Sequence, residues 1–476
     1  MIYSAVNVCN SYHFENPLSK AGFVFDDKQI TEKQPFPCGV LGCNQFRIPG
    51  IIRLKNGHLF AVSDARWSFA DKDAGGIDTI FAVSDDNGAT WRQGFAAYFP
   101  DSAGTPDDFY DATTCIDPDV IQSADGVIHI YVNMNPTGYT TALTFPLCGN
   151  GFLRINGKDR LCVVRDYEDA SVLPDKLPKE KIYYIGDYKN GIADILSFDG
   201  KTTGYSTDEY FNIYNEDILL TQKQVNSDKI IGQNLFYRDS CFHVYNTMYT
   251  MHLTSSDEGR TWRNEIISDK IKNNTDFALI SSPGNAAMTD DGTLLLPFYR
   301  CSANGDSESC IVFSKDNGIS YNRTSGLPKT DTLKWSGENK IVVLSNKLWR
   351  VFFRNGISQI CYADYYADTN TWAEPVIISG IKVHSDCNFS AIRFNGKILI
   401  SYCAGQGPQA EHRLNGTLYE FKVNDDADNS MTLLKQTLFA ESAFSYSDLT
   451  HINKNQVGVL WDTCGDGYVL FDILSV

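Results

Sequence analysis

One eight-residue pattern, Ser-x-Asp-x-Gly-x-Thr-Trp, constrains the fold of this chain more than any other feature. It begins at Ser84 and again at Ser255. A third copy begins at Ser314 with Ser and Tyr in place of Thr and Trp, and a worn fourth covers residues 368–372. In a tight turn, Asp can bond nearby backbone amides and Gly can adopt positive φ. Each copy therefore predicts a strand, a turn and a second strand whose aromatic ring packs on the hairpin.

Repetition of one hairpin motif along the chain is typical of β folds built from radially arranged repeats. Ser314 lies 59 residues after Ser255, about the length of one four-stranded blade. Ser84 lies 171 residues before Ser255, too far for one or two blades alone. We therefore expect an additional segment between the first and second copies.

The rest of the chain also favours an all-β fold. Short alternating or apolar runs recur along it, and no long amphipathic pattern predicts a helix. Many of these runs are bounded by the strongest short hairpin signals, Asn-Gly or Asp-Gly. Such pairs occur at Asn56-Gly57, Asp125-Gly126, Asp291-Gly292 and Asn395-Gly396.

The net charge of −17 and the isoelectric point near 4.9 argue against nucleic acid and anionic membranes as partners, because both attract basic surfaces. The overall field also repels small anions. An anionic ligand would have to be attracted by a few arginines concentrated in one cleft, so the position of each arginine matters more than their number.

Cysteine and histidine patterns predict no metal centre and no organic cofactor. Thirteen cysteines are scattered without CxxC pairs, and eight histidines occur without an HExxH-type cluster. The first residues lack the basic segment and apolar run of a secretory signal, and no run approaches the length of a membrane span. The chain as given is expected to be soluble.

The combination of Phe46-Arg47-Ile48-Pro49 with the octets, known as Asp boxes, resembles the exo-α-sialidase (neuraminidase) family. The resemblance extends to Trp461 with one interruption. It implies a six-bladed β-propeller formed by residues 1–134 and 241–476, with a small β-rich domain at residues 135–240 inserted into one blade. It also implies cleavage of terminal sialic acids from glycoproteins or glycolipids. Asp boxes lie on outer turns of the family fold, so the functional inference depends on the site residues.

The family binds the substrate carboxylate with three arginines, whose guanidinium groups match a carboxylate in a rigid fork. Arg47 resembles the first through the Phe-Arg-Ile-Pro motif. Arg354, in Phe-Phe-Arg-Asn, resembles the second, and Arg413, in Arg-Leu-Asn-Gly, resembles the third. Any one of them alone is more simply a surface cation. Their joint match to the family pattern predicts a carboxylate clamp.

Two further positions match the family's nucleophile and base. Tyr446 stands in a Tyr-Ser-x-Leu context, and Glu338 lies 16 residues before Arg354, the offset of a hairpin between two strand ends. A neutral phenol can approach a carbon that carries a carboxylate, whereas an attacking carboxylate would be repelled. The phenol needs a neighbouring base to remove its proton. We therefore expect Tyr446 and Glu338 to be in contact.

The acid that protonates the leaving oxygen is expected on a loop after Arg66. Counting back from the first Asp box favours Asp73, whereas counting forward from Arg66 favours Asp71 or falls between the two. We expect Asp73 to be the acid, with Asp71 as the alternative. Gly75 and Gly76 would let this loop close. Arg66 itself resembles an additional substrate-binding arginine of the family.

Two aspartates complete the predicted site. Asp117, in Ile-Asp-Pro-Asp, resembles a residue that reaches the N-acyl group or a neighbouring hydroxyl of the sugar; the alternative, a turn aspartate before proline, is less favoured. Asp462, in Leu-Trp-Asp, stands where the family usually has a glutamate supporting the first arginine. It is one methylene shorter but retains the negative charge that Arg47 needs.

The expected activity is retaining exo-α-sialidase hydrolysis, with sialylated glycans as partners. The same residues would serve transfer to another sugar or to the sialic acid's own hydroxyl, which gives an anhydro product. A sialoglycan-binding propeller without catalysis is a third possibility. The substrate class suggests a secreted or cell-surface protein, whereas no signal peptide is visible in this chain.

Overall fold

The computed structural model describes residues 34–37, 39–43, 45–67, 73, 76–99, 113–139, 147–224, 228–302, 306–331, 333–355, 359–379, 381, 387–404, 413–425, 429–463 and 467–476. Strands dominate these ranges, and their only α-helix is a single turn, α1 (Ser268–Ile271). Short 3-10 helices cover Val40–Gly42, Tyr167–Ser171, Pro174–Lys176 and Lys179–Lys181. None of the described helices has the length and apolarity needed to cross a bilayer. The all-β prediction is confirmed.

Among the described residues, six strands precede the predicted insertion. They are β1 (Gln45–Arg53), β2 (Leu59–Arg66), β3 (Ile77–Ser84), β4 (Arg92–Ala97), β5 (Thr114–Gln122) and β6 (Ile128–Asn135). Their residues are almost entirely buried, as expected for strands packed on both faces inside a larger assembly.

In the described part of the chain, ten short strands follow β6 and end at Val244. They are β7 (Phe152–Ile155), β8 (Lys158–Val164), β9 (Tyr183–Ile185), β10 (Ile192–Ser197), β11 (Thr202–Asp208), β12 (Ile213–Asn215), β13 (Ile218–Leu219), β14 (Thr221–Lys223), β15 (Ile230–Gly232) and β16 (His243–Val244). Seven pair in the order β13-β12-β11-β10-β9-β8-β16, with β7 also on β8, and β14 pairs with β15. The last strand of this sheet thus lies a few residues beyond position 240.

Twenty further strands lie in the described residues after position 245. They are β17 (Tyr249–Ser255), β18 (Arg263–Ile266), β19 (Ala278–Ser281), β20 (Gly284–Asn285), β21 (Ala287–Met288), β22 (Leu294–Cys301), β23 (Ser307–Ser314), β24 (Asn322–Arg323), β25 (Gly337–Ser345), β26 (Leu348–Arg354), β27 (Cys361–Tyr366), β28 (Thr371–Trp372), β29 (Val376–Ile377), β30 (Ser390–Phe394), β31 (Lys397–Cys403), β32 (Leu414–Val423), β33 (Met431–Ala443), β34 (Ser447–Asn453), β35 (Gln456–Asp462) and β36 (Val469–Ser475).

These strands adopt a propeller-like arrangement, but they do not form the six separate blades that the family resemblance implies. Four separate sheets have the order of blades: β19-β22-β23-β24, β25-β26-β27-β28, β30-β31-β32-β33 and β34-β35-β36. β1–β6, β17, β18 and β20 instead merge into one nine-stranded sheet. The reason is local hydrogen bonding: a parallel pair between Ile77 and Thr114 joins β3 to β5.

The first strands of these sheets lie next to one another around a common centre. Ile51 on β1 donates its N–H to Asp448 on β34 at 2.8 Å, and Leu449 on β34 donates to Ser390 on β30 at 3.0 Å. A cavity of about 600 Å³ lies among β1, β5, β20–β21, β25, β30 and β34. At the edge of the last sheet, Phe36 pairs with Val469 of β36, so the N-terminal part of the chain adds to the C-terminal sheet.

The three clear Asp boxes make the same hydrogen bonds, which explains their shared sequence. In the first, Ser84 Oγ donates to Asp86 Oδ1 at 2.8 Å and accepts from Gly88 N at 2.7 Å. Thr90 donates its N–H and hydroxyl to the same carboxylate at 2.9 and 2.6 Å. The boxes beginning at Ser255 and Ser314 repeat this pattern. Each box therefore closes its own turn.

Each box also packs its glycine and aromatic ring against a strand outside its own hairpin. Trp91 lies edge-on to Phe471 of β36, with ring centroids 5.4 Å apart, and Trp262 lies edge-on to Phe81 of β3 at 5.6 Å. Tyr321 hydrogen-bonds His252 of β17 at 3.2 Å. The Asp boxes consequently join neighbouring groups of strands, and the first box contacts the last sheet of the chain.

Replacing Gly259 by alanine tests this packing, because a Cβ there would lie 2.6 Å from the Phe81 ring. Gly157 is a matched control with nearly the same φ, +81° against +85°, and no atom within 4 Å of a Cβ. We expect Gly157→Ala to lower the free energy of unfolding by about 1–2 kcal/mol, the cost of left-handed backbone. Gly259→Ala should lower it by roughly 1–3 kcal/mol more because of the clash. Urea unfolding measures both, and equal losses would contradict the packing role.

Candidate active site

Backbone bulges lie at the ends of three central strands, each beside a predicted site residue. The pairing register shifts in β1 between Arg47 and Gly50, in β5 between Ile116 and Asp119, and in β25 between Gly337 and Lys340. In each bulge a residue other than glycine has positive φ: Ile48 at 60°, Asp117 at 63° and Glu338 at 42°. Such strain costs on the order of 1–3 kcal/mol per residue and is concentrated at functional sites.

Tyr446, Glu338 and Arg354 contact one another directly. The Tyr446 hydroxyl donates to Glu338 Oε1 at 2.7 Å, and Arg354 Nη1 donates to Glu338 Oε2 at 2.8 Å. Arg354 Nη1 also donates to the Tyr446 oxygen at 3.2 Å. Burial raises the pKa of Tyr446 well above its usual range, the Glu338 charge adds to this, and Arg354 and Arg413 oppose it. The protonated phenol of Tyr446 therefore donates its hydrogen bond to the Glu338 side chain.

All three predicted clamp arginines surround the Tyr446 ring. The guanidinium carbons of Arg47 and Arg413 lie 5.7 and 5.5 Å from its centroid. Arg354 contacts its hydroxyl, as described above. Arg413 Nη1 donates to Ser445 Oγ at 3.0 Å. Three guanidinium groups thus converge on the Tyr446 side chain, a geometry suited to binding a ligand carboxylate.

Asp462 lies beside Arg47, the first arginine of the predicted clamp. Its fully buried carboxylate lies 3.6 Å from Arg47 Nε and accepts the N–H of Ile48 at 3.1 Å. The shorter aspartate therefore contacts the backbone bulge as well as the guanidinium group.

A second group of charges contains Arg66 and Asp73. Arg66 is 2% exposed, and its two terminal nitrogens lie 3.0 Å from Asp73 Oδ1 and 2.9 Å from Asp64 Oδ2. The Asp73 side chain is 55% exposed, so it lies at the open side of the group. Burial raises the pKa of Asp64 to about 7, although the Arg66 charge and hydrogen bond lower it.

Asp117 connects the two groups. Its N–H donates to Asp64 Oδ1 at 3.2 Å, and Asn133 Nδ2 donates to its Oδ2 at 3.1 Å. Burial raises the pKa of Asp117 well above its usual range, and the charges of Asp64, Asp73 and Glu338 raise it further. Asp117 therefore has the Arg66 group on one side and the Glu338 group on the other.

Among the predicted residues, Asp71 and Gly75 lie outside the described residues. The other predicted residues fall into the two groups joined by Asp117. Sequence reasoning missed four neighbours, which are Asp64, Asn133, Tyr299 and Ser445. Asp64 lies two residues before Arg66 on the same strand, and Ser445 precedes Tyr446, so spacing could have indicated both. Asn133 and Tyr299 reach the site only through the packing of other strands; a Cβ at Gly337 would lie 3.2 Å from Tyr299.

Two family models, both described as BNR repeat-like domain, match the chain. One covers residues 48–337, more than half of the chain, and the other covers residues 230–459. Together they span both groups of site residues except Arg47 and Asp462.

Curated relatives include an anhydrosialidase from Macrobdella decora, 26% identical over 463 residues and aligned with 88% of this chain and 58% of that protein. Sialidase B from Streptococcus pneumoniae serotype 4 is 22% identical over 463 residues, covering 88% of this chain and 61% of that protein. The chain therefore spans less than two thirds of the length of these two relatives.

Among solved structures, the fold is similar to the intramolecular trans-sialidase from Ruminococcus gnavus in complex with oseltamivir carboxylate. The TM-score is 0.75 at 22% identity, and the match covers 91% of this chain and 95% of that one. Because a family model covers more than half of its length, the chain belongs to the BNR repeat-like family, and its curated relatives include sialidases.

Proposed function

We propose that the protein is an enzyme, a retaining exo-α-sialidase that removes terminal sialic acids from glycoproteins, glycolipids or other glycans. The observation that carries this proposal is the convergence of Arg47, Arg354 and Arg413 on Tyr446, whose hydroxyl donates to Glu338 at 2.7 Å. Sialic acid has a carboxylate on its anomeric carbon. The arginines would bind this carboxylate, and the Tyr446 hydroxyl beside them would react at the carbon that carries it.

The three arginines would bind the substrate carboxylate. Each charge-assisted hydrogen bond contributes about 1.5–3 kcal/mol. The protein carries a net charge of −17, which repels anions at a distance. Local concentration of guanidinium groups in a buried site overcomes that repulsion because the interaction is stronger where water is excluded.

In the first step, the Tyr446 oxygen attacks the anomeric carbon while its proton passes to Glu338. The bond from that carbon to the leaving glycan oxygen breaks, and this oxygen takes a proton from Asp73. The raised pKa of Tyr446 means that the phenol stays protonated until the base acts. The carboxylate of Glu338 is already in place to accept this proton.

In the second step, the Asp73 carboxylate takes a proton from water, and the water oxygen attacks the anomeric carbon. The bond to Tyr446 breaks and the phenol recovers its proton from Glu338. Two displacements at one carbon retain its configuration. Asp73 suits this role because its side chain is 55% exposed and lies 3.0 Å from Arg66, where both a glycan and water can reach it. We assign Arg66 and Asp117 to the sugar beyond the carboxylate and propose that no metal or organic cofactor takes part.

We further propose that residues 1–134 and 241–476 form a closed six-bladed propeller, with residues 135–240 as an inserted domain. The nine-stranded sheet then represents two blades, β1–β4 and β5-β6-β17-β18, joined at Ile77 and Thr114. The central cavity supports this count, because segments from six strand groups line it. The contact of Trp91 with Phe471 supports closure between the first and last blades.

A second candidate is intramolecular transfer, in which a hydroxyl of the bound sialic acid replaces water in the second step. The names of two similar proteins, an anhydrosialidase and an intramolecular trans-sialidase, favour it. The same clamp, nucleophile, base and acid would act in both reactions.

Replacing Tyr446 by phenylalanine should abolish turnover of a fluorogenic α-sialoside while sialic acid still binds. We expect kcat to fall by a factor on the order of 10³ or more, since the nucleophile is removed and the clamp remains. Tyr365→Phe is the matched control. Tyr365 is also buried, and its hydroxyl donates to Asn370 and not to a predicted site residue. A Tyr446→Phe enzyme that retains most of its rate would rule out the covalent role.

The identity of the acid is tested by comparing Asp73→Asn with Asp71→Asn on two substrates. Loss of an acid slows release of a poor leaving group, such as a sugar, far more than release of an aryl group that leaves without protonation. We expect Asp73→Asn to lower kcat on a natural sialoside by about 10²–10⁴-fold and to affect the aryl substrate much less. The same signature in Asp71→Asn instead would transfer the role to that residue.

Hydrolysis and transfer are separated by mass spectrometry of the product formed in ¹⁸O-labelled water with EDTA present. Hydrolysis should give sialic acid carrying one ¹⁸O atom. Intramolecular transfer should give a product lighter by one water and free of label, and transfer to another sugar should give a sialylated acceptor. If wild-type protein binds sialosides without forming any product, the protein is a binding propeller and the enzyme proposal fails.

A further inference from the structure

The central strands that carry the candidate active site also line a cavity at their other ends. Site residues lie near the starts of β1, β5 and β25 and just before β34. The cavity of about 600 Å³ described above takes much of its lining from the later part of the same strands, including Arg53 on β1, Gln122 on β5, Val343 on β25 and His451 on β34. The site and the cavity therefore lie at opposite ends of these strands.

Three buried charged residues lie between the cavity and the site. Asp119, Lys340 and Asp448 each come after the site residue of their strand and before its cavity-lining residues. All three are at most 1% exposed, and Lys340 Nζ donates to the carbonyl oxygen of Pro283. None of the predicted site residues that the structure describes lines the cavity. A ligand in the cavity would thus occupy a space separate from that around Tyr446.

Positive charge predominates in the cavity lining. It contains Arg53 at the end of β1, Lys55 in the turn that follows and Arg393 on β30. Among the described residues that line the cavity, Asp290 is the only acid. Partial burial lowers the pKa of His451, so this side chain is uncharged at neutral pH. Three cations therefore face one carboxylate in a protein whose net charge is −17.

The three cations are held by uncharged groups. Arg53 Nη1 donates to Asn87 Oδ1 at 2.9 Å, and Arg393 Nη1 donates to the carbonyl oxygen of Leu344 at 3.0 Å. Lys55 Nζ donates to another backbone carbonyl oxygen. Within the described part of the chain, no carboxylate forms an ion pair with any of the three. These contacts orient the side chains without compensating their charge, so an anion could bind them without displacing an acid.

Apolar side chains form much of the remaining wall. They come from five different strands and include Ile52, Ile121, Met288, Ile341 and Leu449. Met288 is 36% exposed, so apolar surface extends to the opening of the cavity. Sites for small molecules have volumes of about 300–1,000 Å³, with largely apolar walls and a few placed polar groups. The cavity fits this description and adds an excess of positive charge.

We propose that this cavity is a second ligand site, which binds a small organic anion with an apolar body. Arg53 and Arg393 hold the anionic group, and the two residues lie on strands that both contact β34. Lys55, which is exposed, adds attraction at the opening. The apolar body packs against Ile52, Ile341 and their neighbours. This site does not depend on the enzymatic activity proposed above.

The test uses 8-anilino-1-naphthalenesulfonate, an aromatic sulfonate, titrated into the folded full chain and followed by calorimetry and fluorescence. In Arg53→Gln/Arg393→Gln the affinity should fall by about tenfold or more for each guanidinium removed, because each loses a charge-assisted hydrogen bond. N-phenyl-1-naphthylamine, which lacks the sulfonate, should bind wild type at least tenfold more weakly. Equal affinity of wild type for the two compounds would overturn the proposal.

Two further variants locate the bound probe. Arg154→Gln/Lys201→Gln is the matched control, because it removes the same two charges from exposed ion pairs with Asp159 and Asp199. It should leave the affinity unchanged, and an equal loss in both double variants would show a general charge effect and overturn the proposal. Arg354→Gln should retain binding, since it alters only the predicted clamp. Loss of binding there would place the probe at the candidate active site and refute the second site.

A variant at Met288 keeps the proposal testable if Arg53→Gln/Arg393→Gln fails to fold. Met288→Glu places a carboxylate at the opening and leaves both arginines in place. Repulsion between this carboxylate and the sulfonate should lower the affinity several-fold, whereas Met288→Gln, of the same size but uncharged, should bind the probe more tightly than Met288→Glu. Equal affinities of Met288→Glu and Met288→Gln would refute anion binding in this cavity.

Discussion

The packing of Asp-box turns against a neighbouring group of strands is the interaction on which the rest of this structure depends. Each turn is closed by one carboxylate and one serine hydroxyl, and it then presents a glycine and an aromatic ring to a strand of that neighbouring group. The glycine matters because any Cβ would collide with the facing ring. Outer contacts of this kind set how one group of strands lies against the next, and the inner strand ends converge as a result.

Convergence of inner strands explains how residues far apart in the sequence come to share one site. Tyr446 and Glu338 are 108 residues apart and make a 2.7 Å hydrogen bond. Bulges at the ends of β1, β5 and β25 redirect the chain beside Arg47, Asp117 and Glu338. Strain at these bulges is sustained by the paired strands on either side, and a loop without such support would relax.

The charges follow from the same arrangement. Although the protein is strongly acidic, guanidinium groups cluster around Tyr446. Asp119, Lys340 and Asp448 are buried on the same central strands, where few water molecules can screen their charges. Lys340, deeper in the centre, is enclosed by protein beside the buried carboxylate of Asp448.

Some of this could be predicted from sequence, because it depends on local chemistry. Asp, Gly and a ring in fixed spacing determine the Asp-box turn, and the alternating strands with Asn-Gly and Asp-Gly turns determine the all-β class. Family motifs likewise indicated Arg47, Glu338 and Tyr446 as candidate site residues. Tertiary structure alone decided the merging of β3 with β5, the contacts of Asn133 and Tyr299, and the burial of Lys340. These features depend on which strands meet across the centre, and no pattern within one segment specifies a neighbour that lies a hundred residues away.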